Sequence, residues 1–142
     1  MTYSLAFSQA IIVTLYVADK VEQGMFDFIP TTQLSDDLNM SPSSTSSILR
    51  RLNRAGLIET REGVKGGVRL AVPSAEVTVL DIFDAIEQNK PLFQQNVKLR
   101  VTGQKPDRAT KALIDVFSDA EAAMKARLQA TTIEDLRAIL NA

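Results

Sequence analysis

The chain has 142 residues, 45% apolar and 23% charged, with a net charge of −1. That is enough for one domain, or one domain and an appended helix, with a core that needs no disulfide or metal staple. With no cysteine and no histidine, thiolate chemistry, iron–sulfur ligation by Cys, nearly every common zinc site and the Ser-His-Asp and Cys-His nucleophile arrangements are excluded.

Ser4 to about Glu22 reads as a helix, apolar over most of its surface through Leu5, Ile11, Ile12, Leu15, Tyr16 and Val17, and ended by Gly24. Its run from Ala10 to Ala18 follows no basic stretch and is too short to span a membrane. The expectation is a buried first helix in a cytoplasmic protein without membrane contact. A loop with Phe26, Phe28 and Pro30 follows, then a short helix from Thr32 to Asn39. Its Leu34 and Leu38 share one face, and Asp36 and Asp37 point elsewhere.

The stretch "MSPSSTSSILRRLNRAG" predicts a third helix, with Ser41 as N-cap, Pro42 at the first helical position and Gly56 just past the end. Thr45, Ile48, Leu49, Leu52 and Ala55 form its apolar stripe. Ser43, Ser44, Ser46, Ser47, Arg50, Arg51 and Arg54 form the other face. Two short helices in this order, the second with a hydroxyl and guanidinium face, are a helix-turn-helix candidate. "LIETR" and "VRLAV", separated by "EGVKGG", predict a hairpin with a flexible tip, closed by Pro73.

A fourth helix runs from Val77 to about Gln88, with Thr78 and Asp81 as a capping box and Val77 stapled to Ile82. Residues 89–106 read as a connector. Asp107 to about Ala130 is a long helix with apolar spacing of three and four. "TTIEDLRAIL" is a final short helix, with Thr131 and Glu134 as its cap pair.

The near-zero net charge hides segregation. Residues 50–69 hold six bases against Glu59 and Glu62, and residues 90–111 hold six bases against Asp107. The remaining segments are net acidic. Such a chain suits a polyanion-binding face on an acidic body. A helix fits the DNA major groove, where Arg donates two hydrogen bonds to guanine and Ser or Thr serve bases or phosphates. A glycine-rich tip can approach the backbone, and basic residues beside it can neutralise phosphates or enter the minor groove.

The segment "SPSSTSSILRRLNRAGLIETREGVKGGVRLAVPSAEVTVLDIFDAIE" resembles the signature region of the IscR/NsrR/CymR family of bacterial regulators, also called the Rrf two family. The elements that carry the resemblance are Arg54-Ala55-Gly56-Leu57-Ile58, Gly66-Gly67, Leu70-Ala71, Pro73 and Val77-Thr78-Val79-Leu80-Asp81-Ile82. The resemblance implies a mainly α fold with a small β-hairpin: a winged helix-turn-helix at 1–88, a connector at 89–106, and a dimerisation helix with a short C-terminal helix at 107–142. It implies a homodimer on a roughly palindromic double-stranded DNA operator, with repression by promoter blocking ahead of activation. DNA contact is expected from Ser43, Ser44, Ser47, Arg50, Arg51 and Arg54 on the recognition helix. From the wing it is expected from Arg61, Lys65, Gly66, Gly67 and Arg69. The dimer interface is expected from Leu113, Val116, Phe117, Ala120, Met124 and Leu128.

Two departures from the family pattern stand out. Its best-known members hold an iron–sulfur cluster through cysteines before the long helix, whereas "KPLFQQNVKLRVTGQK" has neither Cys nor His, so no cofactor is expected. The family often has Arg immediately before the first wing glycine, where this chain has Glu62, with Arg61 one residue earlier. On an ideal strand those neighbours point to opposite faces.

Blander readings stand beside these. Lys90, Lys98, Arg100, Lys105 and Arg108 suit a solvated connector better than an anionic effector site or flanking DNA. Phe26, Phe28, Phe83 and Phe93 suit core or dimer packing better than a ligand pocket. Asp81, Asp84 and Glu87 suit a cap and a polar helix face better than a metal site. No nucleophile–base pair, metal motif or phosphate cradle is visible, so no enzyme is expected. The rival function is a winged-helix module for protein–protein interaction, and a protein or small-molecule effector is left open.

Overall fold

The computed structural model describes residues 4–142. In chain order the elements are α1 (Leu5–Glu22), α2 (Thr31–Asp37), α3 (Pro42–Arg54), β1 (Ile58–Arg61), β2 (Gly67–Leu70), a 3₁₀ turn (Ser74–Glu76), α4 (Val79–Glu87), α5 (Gln104–Gln129) and α6 (Ile133–Leu140). This is the mainly helical, hairpin-bearing architecture expected from the sequence.

α1 lays one face on the core rather than being buried all round: Leu5 and Ile12, expected in its apolar surface, are 72% and 49% exposed. Ala10, Val13, Val17 and Ala18 are buried on it, and the buried Thr14 hydroxyl is satisfied by the Ala10 carbonyl at 2.7 Å. Around it pack Ile29, Leu34, Ile48, Leu52, Ile58, Val68, Val77, Ile82, Ile86 and Ile133. They come from α2, α3, both strands, α4, α6 and the turns at Ile29 and Val77, and none comes from α5. α1 is also tied to α6 by ions, since Arg137 of α6 lies 2.8 Å from Glu22 and 3.6 Å from Asp19.

α3 is capped as its sequence dictates. The Ser41 hydroxyl accepts the backbone N–H of Ser44 at 3.1 Å, Pro42 opens the helix, and Gly56 beyond its end has φ +77°. Thr45, Ile48, Leu49 and Leu52 are buried on its inner face. Ala55, expected in the same stripe, is exposed, because it is the C-cap and the chain turns away at Gly56.

The hairpin pairs Ile58 with Leu70, Glu59 with Arg69, Thr60 with Val68 and Arg61 with Gly67. A backbone bridge between Ile29 and Val68 anchors it to the stretch before α2, with N–H···O distances of 2.8 and 2.9 Å. β1 ends at Arg61, so Glu62 belongs to the tip and the rule of alternating faces stops short of it.

The α4 capping box forms between Thr78 and Asp81 as expected. That of α6 is one residue later than the sequence reading placed it: Thr132 with Asp135, rather than Thr131 with Glu134. The reason is tertiary. The Thr131 carbonyl accepts the Val79 N–H at 2.9 Å and the Ile133 N–H donates to Val77 at 2.8 Å, which fixes where the chain turns into helix. Glu134 instead takes a Ser74 hydroxyl contact at 2.6 Å and pairs with Arg137 at 3.0 Å.

α5 begins one turn before the expected Asp107. Gly103 has φ +123°, and Pro106 falls in the first turn, where a missing N–H costs nothing. No residue of α5 is buried. It packs against α4, and its contacts with the connector include Phe117, stacked on Phe93 at 4.4 Å, and Glu121, which accepts the Leu92 N–H at 3.0 Å.

Candidate nucleic-acid interface

Burying Ile48 and Leu52 turns the opposite face of α3 outward. Arg50 and Arg54 are exposed, and among the described residues no hydrogen bond or ion pair holds either. Arg51 is half-buried, and its Nη1 donates to the Ile86 carbonyl at 3.4 Å, at the C-terminal end of α4 where a cation suits the helix dipole. Ser43 is exposed and Ser44 half-buried, both within reach of the capping Ser41 hydroxyl. Ser47 is half-buried.

The wing divides its bases. Lys65 at the tip is exposed and has no ion-pair partner among the described residues. Arg69 is clasped by Glu59, its opposite in the register, and by Asp27 at 2.8 Å. The Glu59 hydrogen bond raises the Arg69 guanidinium above its ordinary value; desolvation works against this and the Asp27 charge adds to it. Arg61 is freer, 51% exposed and 3.7 Å from Asp27. The guanidinium carbons of Arg61 and Arg69 lie 4.1 and 4.4 Å from the centre of the Phe28 ring.

The glycines of the tip serve the wing itself. Gly66 is buried, and a Cβ there would stand 2.2 Å from the Arg61 carbonyl oxygen. A Cβ on Gly67 would stand 2.0 Å from the Ile29 carbonyl oxygen. Beside the tip, a cleft of about 540 Å³ separates the wing from the start of α2, lined by Thr31, Thr32, Thr60, Arg61 and Glu62 among others.

The structure thus brings α3 and the wing onto one core, with Arg50, Arg54, Arg61 and Lys65 accessible. Asp27, Thr31 and Thr32 were not picked from the sequence. They lie in a loop and a helix start without periodic signal, and the Ile29–Val68 bridge and the Asp27–Arg69 hydrogen bond bring this stretch beside the wing. Phe28 packs as the sequence predicts, 7% exposed, and it also seats two guanidiniums.

Glu87 departs from the sequence reading. It is not part of a solvent-facing polar side: its side chain is 1% exposed. Its Oε1 accepts the Ser4 N–H and hydroxyl at 3.2 Å each, capping α1 from across the fold, and Lys90 lies 3.6 Å away.

The family model described as Rrf2, iron-dependent transcriptional regulator, matches residues 3–138. The chain belongs to the Rrf2 family. A solved structure of T. potens IscR superposes with a TM-score of 0.68 at 16% identity, over 96% of this chain and 85% of that one. CymR (YrzC), the global cysteine regulator of B. subtilis, gives 0.67 at 20% identity over 98% of both chains. At these identities the likeness is one of fold. YwgB of Bacillus subtilis, provisionally named an HTH-type transcriptional regulator, is 38% identical over 61 residues. That stretch spans 43% of this chain and 39% of YwgB.

The iron in this Rrf2 description finds no matching donors here. The chain has no Cys and no His, and the loop of residues 88–103 carries Lys90, Lys98 and Arg100 but no acid. No group of three or more His, Cys, Asp or Glu among the described residues is arranged to hold a metal ion. An iron ion or cluster needs thiolate, imidazole or carboxylate ligands, so the residues present do not fit one. Among the described residues no helix is long and apolar enough to cross a membrane.

Proposed function

We propose that this Rrf2 chain is a sequence-specific DNA-binding regulator that acts in the cytoplasm as a homodimer on a pseudo-palindromic operator. The observation that carries the reading is the free pair Arg50 and Arg54 on the outer face of α3, beside a wing whose Lys65 is equally free. Free guanidiniums on a helix of groove-fitting diameter can pair with guanine edges or phosphates. Arg61 and Lys65 supply backbone charge from the wing. Arg51 would act from the end of α3 that it shares with α4, and Ser43, Ser44 and Ser47 from its first turns. Repression by occupying a promoter follows from the family resemblance.

The homodimer is supported by α5. Leu113, Ile114 and Val116 are 39%, 40% and 62% exposed, and Phe117, Ala120, Met124 and Leu128 are half-buried along the same helix. A 26-residue helix with no buried residue wants a partner surface. Two copies joined there would present two recognition helices to two half-sites. Footprinting of the full chain on genomic fragments tests the reading: a protected site with two-fold symmetry supports it, and uniform weak protection counts against it.

A further inference from the structure

The seat formed by Asp27 and Phe28 treats its two arginines unequally. Arg69 keeps two carboxylates, Glu59 and Asp27, and its Nη1 sits at hydrogen-bond distance from Asp27. Arg61 has one ion-pair partner among the described residues, the second oxygen of Asp27, and at 3.7 Å it is beyond hydrogen-bond length. Both members of that pair face water, 51% and 67% exposed. An exposed pair of this geometry is weak and exchanges readily. The Phe28 ring meanwhile holds the guanidinium in place without satisfying its N–H groups.

We propose that Asp27 is an affinity-setting residue of the wing: its carboxylate holds Arg61 on the Phe28 ring in the free protein, and a DNA phosphate takes the guanidinium over on binding. This rests on the DNA-binding reading. A phosphate offers Arg a charge-assisted, bidentate partner that the distant Asp27 oxygen does not. The exchange leaves Asp27 with Arg69, so no carboxylate is stranded. It also accounts for a wing that lacks Arg at the position before the first tip glycine: Arg61 takes the role, and Asp27 tempers it.

The test is fluorescence anisotropy with a short labelled duplex of mixed sequence, titrated with the full chain from ~50 mM salt upward. Asp27→Asn keeps an acceptor for Arg69 and removes the competing charge. It is expected to tighten binding about threefold at the lowest salt and steepen the salt slope by up to one unit, because no protein anion has to be released from Arg61. Arg61→Ala is expected to weaken binding, and the double variant Asp27→Asn/Arg61→Ala to bind no better than Arg61→Ala. A gain from Asp27→Asn that persists in the Arg61→Ala background overturns the proposal, because Asp27 then acts through the general field. No gain, or a loss, overturns it as well. Binding by the parent chain with any of these results leaves the DNA-binding reading standing. Failure of the parent chain to bind the duplex at any salt removes that reading and this proposal together.

Discussion

Glu59 and Arg69 stand opposite each other in the β1–β2 register and are joined by a hydrogen-bonded ion pair. The pair braces the hairpin across its two strands, and Asp27 extends the brace to the loop before α2. Arg69 is therefore a strut of the wing as well as one of its charges.

The first prediction separates those roles. Arg69→Ala removes a cross-strand pair and a guanidinium over Phe28, so it lowers the melting temperature by about 2 °C. Arg61→Ala removes only the loose contact to Asp27 and the ring, and it leaves the melting temperature close to that of the parent. Thermal unfolding followed by circular dichroism reads both; equal shifts would refute the division.

A second prediction concerns α3. Arg50→Ala and Arg54→Ala each weaken operator binding by about 1–3 kcal/mol if the arginine reads a base, or flatten the salt slope by about one unit if it pairs with phosphate. Neither changes stability, because neither guanidinium has a partner in the described fold. Arg51→Ala lowers affinity and stability together, since it also gives up the Ile86 carbonyl. Affinity titrations paired with urea unfolding distinguish the two patterns.

The tip glycines supply a third. Gly67 has φ +147° and no room for a Cβ against Ile29, so Gly67→Ala costs about 2–4 kcal/mol and breaks the anchor between Ile29 and Val68. Gly63 has φ +100° but nothing within 4 Å of its Cβ position, so Gly63→Ala costs about 1 kcal/mol of backbone strain alone. Urea unfolding midpoints should fall in that order.

A fourth is a pH effect. Burial first, then the hydrogen bond and charge of Asp37, hold the Tyr16 phenol above its ordinary value of 10.0, against a smaller opposing effect of Gln33. The unfolded chain then releases this proton first. The contribution is whole below the ordinary value and is lost as pH climbs from there through the raised folded-state value. Tyr16→Phe should flatten this alkaline fall in unfolding free energy.

The fifth concerns assembly. Val116 is 62% exposed, so Val116→Asp disturbs no core, yet it places a charge in the face assigned to the partner copy. Sedimentation is expected to give a dimer for the parent chain and a folded monomer for the variant. A parent chain that sediments as a monomer at every concentration contradicts the assembly.

Much of the fold was legible because its signals are local. The N-cap at Ser41 with Pro42, the Thr78–Asp81 box and the apolar stripe Ile48–Leu49–Leu52 all lie within one element. What stayed hidden depends on residues distant in sequence. The α6 cap is displaced by strand-like pairing between Thr78 and Thr132, and the buried Glu87 accepts hydrogen bonds from Ser4, 83 residues away. In the candidate site, the exposed bases followed from the charge pattern. The Asp27–Phe28 seat did not, because hydrogen bonding 42 residues apart leaves no periodic trace.

The most direct test is selection of genome fragments by the purified full chain at ~150 mM salt, where specific and non-specific binding separate. The account predicts recovery of one pseudo-palindromic motif that the Arg50→Ala/Arg54→Ala variant no longer enriches. Recovery of nothing above background, or equal enrichment by that variant, would contradict it and favour the protein–protein interaction module.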